Sequence, residues 1–379
     1  METKIMQLPI FKLEEYLSKY EFNAPYLLCC SDAQSMSMKE LLSLAEEEEK
    51  NQWNDLSLGY TEVRGLPALR KQIVHTLYPA LNEGHIHTFC GAQEAIFCGL
   101  SALLSSNDHA IVLTPCYQSL KEIPRYKGAE VSEVELKEEN QWRINLNDIK
   151  NALRPNTRCI IINFPHNPTG QVLRSFEMAD LVALCRANKL WLFSDEVYRL
   201  LGIPKEGWPL PIACVYERGI SLGVMSKAYG MGGLRLGWIA CQDKDFLQKI
   251  EYMRHYISIS NTAPSELLSL IALKNHKSIL TLTNEIVKEN LSLLDHFFEK
   301  HSSLFRWVRP QGGCTGFVRY LGDEKVEDFC KRLVKEKGVL LLPSSQYGLQ
   351  SQHFRIGFGR LNMKEALEVF ESFLKRKSP

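Results

Sequence analysis

Leu190-Trp191-Leu192-Phe193-Ser194-Asp195-Glu196-Val197-Tyr198 is the stretch on which the fold turns. Its apolar run is too short for a self-burying helix and, bounded by polar residues, reads as a strand covered on both faces, as in a parallel sheet. The run ends in a carboxylate. In an open α/β sheet the ligand lies beyond the carboxyl ends of the strands, so Asp195 stands where chemistry is to be sought.

Working outward, residues 110–114, 159–163 and 220–224 repeat the pattern, with amphipathic stretches between them. Strands alternating with crossover helices build a mostly parallel sheet. After Arg235 the period becomes helical, over 244–256, 263–276 and 280–301. Two half-buried strands, 316–320 and 354–358, then flank a helix over 326–337, and a last helix covers 363–377. The expectation is an α/β protein: a large domain over 42–272, and a small α+β domain made of 1–41 with 273–379. A chain of 379 residues exceeds one hydrophobic core, which also favours two domains with a cleft between them.

Lys plus Arg (45) nearly balances Asp plus Glu (44), so no global field draws in nucleic acid or an anionic membrane surface. The 11 cysteines are odd in number and lack Cys-x-x-Cys pairs, which reads as reduced thiols in a cytoplasmic protein. Residues 1–11 lack a cationic start followed by a long apolar run, and no stretch of ~20 apolar residues exists to anchor the chain. The acidic run at 46–50 reads as the solvated face of a helix.

Four segments at the ends of the strands carry the polar groups that a phosphorylated ring needs. Gly91-Ala92-Gln93-Glu94-Ala95 opens an apolar helix whose free N–H groups suit a phosphate. Asn163-Phe-Pro-His-Asn167-Pro-Thr-Gly170 packs prolines and a glycine into a turn that holds the Asn167 amide rigidly. Asp195, if buried, needs a cationic partner such as a pyridinium N–H. Ser226-Lys227-Ala-Tyr-Gly-Met-Gly-Gly-Leu-Arg235-Leu-Gly-Trp238 supplies one lysine. In a desolvated site near other positive charge its pKa is expected to fall, so that the amine condenses with an aldehyde. Read singly, each segment is also an ordinary helix start, turn, helix cap or surface lysine.

Together, Asn167-Pro-Thr-Gly170, Asp195-Glu-Val-Tyr198 and Ser226-Lys-x-x-Gly-x-x-Gly-x-Arg235 resemble the fold-type I enzymes that use pyridoxal 5′-phosphate, in the class I/II aminotransferase family. The resemblance covers nearly the whole chain. It implies that Lys227 holds the cofactor and moves the proton. Asp195 then pairs with the ring nitrogen, Asn167 and Tyr198 bond the ring oxygen, and Tyr117 stacks on the ring. Ala92 and Gln93 hold the phosphate, with help from Ser226 and Arg235. Arg355, in Phe354-Arg-Ile-Gly-Phe358, is similar to the arginine that grips the substrate carboxylate, beside Asn167. Tyr60 is similar to a tyrosine that reaches the neighbouring subunit's phosphate, which implies a homodimer with shared active sites. The substrates implied are an amino acid and a 2-oxo acid.

The chain departs from that pattern at Val224, where Ser or Thr is usual, and at Leu28-Cys-Cys-Ser-Asp-Ala-Gln34, which replaces a glycine-bearing loop. In these respects it resembles a branch containing capreomycidine-synthase-like enzymes, which cyclise a hydroxyarginine, so a lyase or cyclase stands beside the aminotransferase. A ligand-responsive regulator would need a DNA-binding region before Trp53, and a zinc hydrolase built on His85, His87 or His166 lacks a third ligand at sensible spacing. No metal is expected.

Overall fold

The computed structural model describes residues 7–202, 204 and 207–375. At its centre is a seven-stranded sheet: β1 (Ile86–Phe89), β2 (His109–Thr114), β3 (Glu130–Glu135), β4 (Thr157–Asn163), β5 (Trp191–Asp195), β6 (Gly219–Val224) and β7 (Gly237–Cys241), in the order β1-β7-β6-β5-β4-β2-β3. Strands β2 to β6 pair in parallel, and β7 is antiparallel to both β1 and β6. The four expected runs are β2, β4, β5 and β6. Their central residues Val112, Ile161, Phe193 and Leu222 are fully buried, as the helices on both faces of a parallel sheet require.

Strands β1, β3 and β7 were not expected. β1 hides His87 and Thr88 among its four residues, and β3 alternates as Glu-Val-Ser-Glu-Val-Glu along a half-exposed sheet edge. β7 follows directly on the glycine-rich segment that carries Arg235.

A second, antiparallel sheet of β8 (Phe305–Arg306), β9 (Thr315–Tyr320), β10 (Leu342–Pro343) and β11 (His353–Gly357) runs in the order β10-β11-β9-β8. Helices Val326–Lys337 and Met363–Leu374 pack on it through aromatic contacts such as Tyr320–Phe329, 4.4 Å between ring centres, and Phe305–Phe370, 5.9 Å. The expected extension of the last helix to 377 lies outside the described residues. The helical stretch between the sheets is Lys244–Arg254, Ala263–Lys274 and His276–Lys300.

The acidic run is exposed as expected at 46, 47, 48 and 50, and departs from that reading at one position. On helix Glu47–Asn54 the Glu49 carboxylate is buried, ion-paired with Lys274 and accepting from the Glu46 amide at 2.8 Å. One position in the run faces inward, because a cation from the neighbouring helix waits for it. The 11 cysteines are free, Cys29 and Cys30 both buried. Among the described residues no helix is long and apolar enough to cross a membrane.

Two sets of contacts away from the sheets' ends help to join the two parts. Glu138 accepts from Arg306 at 2.7 Å, Arg319 at 2.6 Å and His353 at 3.1 Å, all three belonging to the smaller sheet. The first helix, Lys12–Tyr20, is tied to the large part by the Lys12 amide on Gln118 Oε1 (3.0 Å) and to the small part by the Tyr16 hydroxyl on the Leu341 carbonyl (3.0 Å).

Candidate active site

Because β4, β5 and β6 are parallel, their last residues gather at one end of the sheet. There they open on a cavity of about 410 Å³. Ala92, Gln93, Tyr117, Asn167, Asp195, Tyr198, Ser226, Lys227, Arg235 and Arg355 all line it. Tyr60 does not: it is 91% exposed and borders a separate surface groove.

Asp195 closes β5 and is 4% exposed. Its Oδ1 accepts the Val197 amide at 3.2 Å. Burial raises its pKa to about 7, against the pull of that amide and of the Lys227 ammonium. A carboxylate so poorly compensated calls for a cationic donor, and a protonated pyridine nitrogen is one.

Lys227 follows β6 on a turn, and its Nζ donates to Ser31 Oγ at 3.0 Å and lies 5.7 Å from the centre of the Tyr198 ring. The expected fall in its pKa is not found. Burial does push the amine down, but the Tyr198 hydroxyl and the Asp32 carboxylate push it up, and the net direction is upward. Asp32 lies in the 28–34 segment, where no motif marks a carboxylate that folds close to Lys227.

Asn167 is fixed from three sides. Its amide donates to Asn163 Oδ1 at 2.9 Å, and its own Oδ1 accepts from Tyr347 Oη at 2.8 Å and from Arg355 Nη1 at 3.2 Å. The oxygen is thus committed, and the nitrogen is left to donate to a ligand oxygen. Arg355, 2% exposed on β11, also holds the Cys29 carbonyl through Nε at 2.9 Å and the Tyr347 hydroxyl through Nη1 at 2.9 Å.

Helix Ala92–Leu103 begins at Gly91, φ +86°, with no side-chain cap, so the first-turn amides face the cavity at the positive end of the helix. Arg235, itself left-handed at φ +48°, curls back onto this turn. A Cβ at Gly91 would stand 2.5 Å from Arg235 Nη2. Free amides, a guanidinium and a glycine that keeps them close form a cradle for a phosphate. Phosphate cradle, lysine, carboxylate and fixed amide together fit a phosphorylated pyridine aldehyde. Val224 and Ser226 both line the cavity, and the Ser226 hydroxyl bonds none of the described residues.

Sequence reasoning missed Ser31, Tyr347 and Glu14. Glu14 accepts from the Tyr117 hydroxyl at 3.0 Å and lines the cavity from the first helix. No motif marks any of them, since each is brought in by contacts far along the chain.

The model of the family described as aminotransferase class I and II matches residues 27–373. Capreomycidine synthase of Streptomyces vinaceus is 29% identical over 364 residues, 93% of this chain and 90% of that protein. Arginine–pyruvate transaminase of Pseudomonas aeruginosa is 32% identical over 306 residues, 79% of this chain and 77% of its own length. The crystal structure of a PLP-dependent aminotransferase from Streptococcus suis superposes with a TM-score of 0.93 at 32% identity, covering 99% of this chain and all of that one.

Proposed function

The chain belongs to the aminotransferase class I and II family and uses pyridoxal 5′-phosphate, and from that premise we propose that it moves an amino group from an amino acid to a 2-oxo acid. The observation that carries the reading is the convergence of Lys227, Asp195 and Arg355 on one cavity. When bound, the cofactor supplies an aldehyde that takes up an amino group and a ring that withdraws electrons from the carbon bearing it.

The residues divide the work as follows. Lys227 Nζ would take the proton from the substrate α-carbon and return it two bonds away, to the carbon that carried the aldehyde, steered by Ser31 Oγ. Asp195 shares its proton with the ring nitrogen and keeps that nitrogen cationic. Asn167 Nδ2 and the Tyr198 hydroxyl donate to the ring oxygen. The first-turn amides at Ala92 and Gln93, with Ser226 and Arg235, hold the phosphate, and Tyr117 lies against the ring. Arg355 exchanges its present carbonyl and hydroxyl partners for the substrate carboxylate, which as a charge-assisted fork is the stronger acceptor. Tyr60 completes the neighbouring subunit's phosphate site in a homodimer.

Similarity to capreomycidine synthase supports a second reading, in which the same proton abstraction is followed by loss of a leaving group and ring closure. Both readings use every residue named above. Single-turnover incubation with a panel of amino acids separates them: transfer releases a 2-oxo acid and leaves the cofactor in its amine form. Ammonia or a cyclised product without oxo acid would overturn transfer.

A further inference from the structure

Five charged side chains line the cavity: Glu14, Asp195, Lys227, Arg235 and Arg355. Four have work within the reading above, on which this inference rests. Glu14 has none. No lysine, arginine or histidine among the described residues lies within ion-pair distance of it, and its hydrogen-bond partner is the neutral Tyr117 hydroxyl at 3.0 Å. Leu13 and Leu17, before and after it on the first helix, line the same wall.

A substrate amino acid is located by its common parts. Its nitrogen goes to Lys227, its carboxylate to Arg355, and the ring lies between Asp195 and Tyr117. The side chain is left to run along the remaining wall, where two leucines flank one carboxylate. An apolar surface with an acidic group suits an aliphatic stem that ends in a cation. One helical turn beyond Leu17, Glu21 adds to the negative potential without an ion pair among the described residues. Burial and the nearby Asp32 carboxylate push its pKa up. Asp32 itself is neutralised by Arg360 at 2.9 Å.

We propose that Glu14 is a specificity-determining residue that selects amino acids with a cationic side chain, an ammonium or a guanidinium. An acceptor at Glu14 also orients Tyr117, so the test must separate charge from hydrogen bonding, and Glu14→Gln does so because it keeps an acceptor and removes the charge. With cofactor-loaded enzyme, L-arginine and L-lysine are compared with the neutral L-norleucine, by kcat/KM of the first half-reaction and by calorimetric binding. Wild type should favour the cationic donors over norleucine by at least about tenfold, a preference that weakens as salt is raised. In Glu14→Gln that ratio should fall by about tenfold, through KM, with the cofactor spectrum unchanged. The inference is overturned if wild type shows no such preference, or if Glu14→Gln slows all three donors alike, which would make it a support for Tyr117 alone. Arginine bound preferentially but converted to a ring without oxo acid would overturn the transfer reading and leave this one standing.

Discussion

Lys227 carries the most direct prediction at the scale of the residue. Borohydride reduction of the loaded protein should leave a pyridoxyl group on the peptide containing Lys227, read by mass spectrometry, and Lys227→Ala should lose both the adduct and roughly 10³-fold or more in turnover. Asp195 offers a test that needs no turnover. Its pKa is raised from 3.8 in an ordinary environment to about 7 by burial. Folded protein therefore binds a proton there more tightly than unfolded, and cofactor-free stability declines as pH climbs from about 4 through 7. Asp195→Asn is free of that loss. In urea unfolding without cofactor it should exceed wild type by up to about 4 kcal/mol at pH 8, with the gap closing near pH 4. An equal gap at both values would count against the buried, uncompensated carboxylate. At this scale the sequence was readable where a motif fixes spacing, as for Asn167, Asp195 and Lys227. Glu14 and Tyr347 could not be read, since what brings them to the cavity is packing between distant segments, and although the 28–34 loop was marked, nothing in it points the Ser31 hydroxyl at Lys227.

Among elements, strands were legible in proportion to their burial. β4 and β6 are largely apolar and buried because helices cover both faces, whereas the edge strand β3 alternates charge with valine and β1 buries polar side chains, so neither shows an apolar run. The helix Ala92–Leu103 was visible and the resemblance assigned Arg235 to the same phosphate, but the closeness of its guanidinium to Gly91 was not legible. That closeness makes Gly91→Ala informative. The added methyl would lie 2.5 Å from Arg235 Nη2 on a backbone at φ +86°, so cofactor affinity measured by absorbance titration should fall by at least about tenfold while the circular dichroism stays. The Glu138 cluster is the corresponding test between the sheets. Burial pushes its carboxyl up, but Arg306, Arg319 and His353 together pull it down to about 2. Its contribution is therefore present above about pH 4.5 and is lost as pH falls towards 2. Glu138→Gln should cost about 2 kcal/mol at pH 7, less than a fully enclosed pair because Arg306 is half exposed, and about nothing at pH 2.

For the molecule as a whole, the proposed homodimer makes a prediction that no single chain can meet. If Tyr60 serves the neighbour's site, inactive Lys227→Ala and weakened Tyr60→Ala proteins should regain activity when mixed and allowed to exchange subunits, to about a quarter of wild type, because one site in each hybrid is intact. Sedimentation of the mixture checks that hybrids form. No recovery despite exchange would place Tyr60 outside the site. The first helix adds a consequence in time. Its bonds span 106 positions to Gln118 and 325 to Leu341, which is nearly the length of the polypeptide. Contacts of such separation close late, after the segments between them have collapsed. A ribosome making this protein therefore releases the first helix long before the Leu341 segment it docks against, and the enclosure around Lys227 is finished only when the last strands arrive.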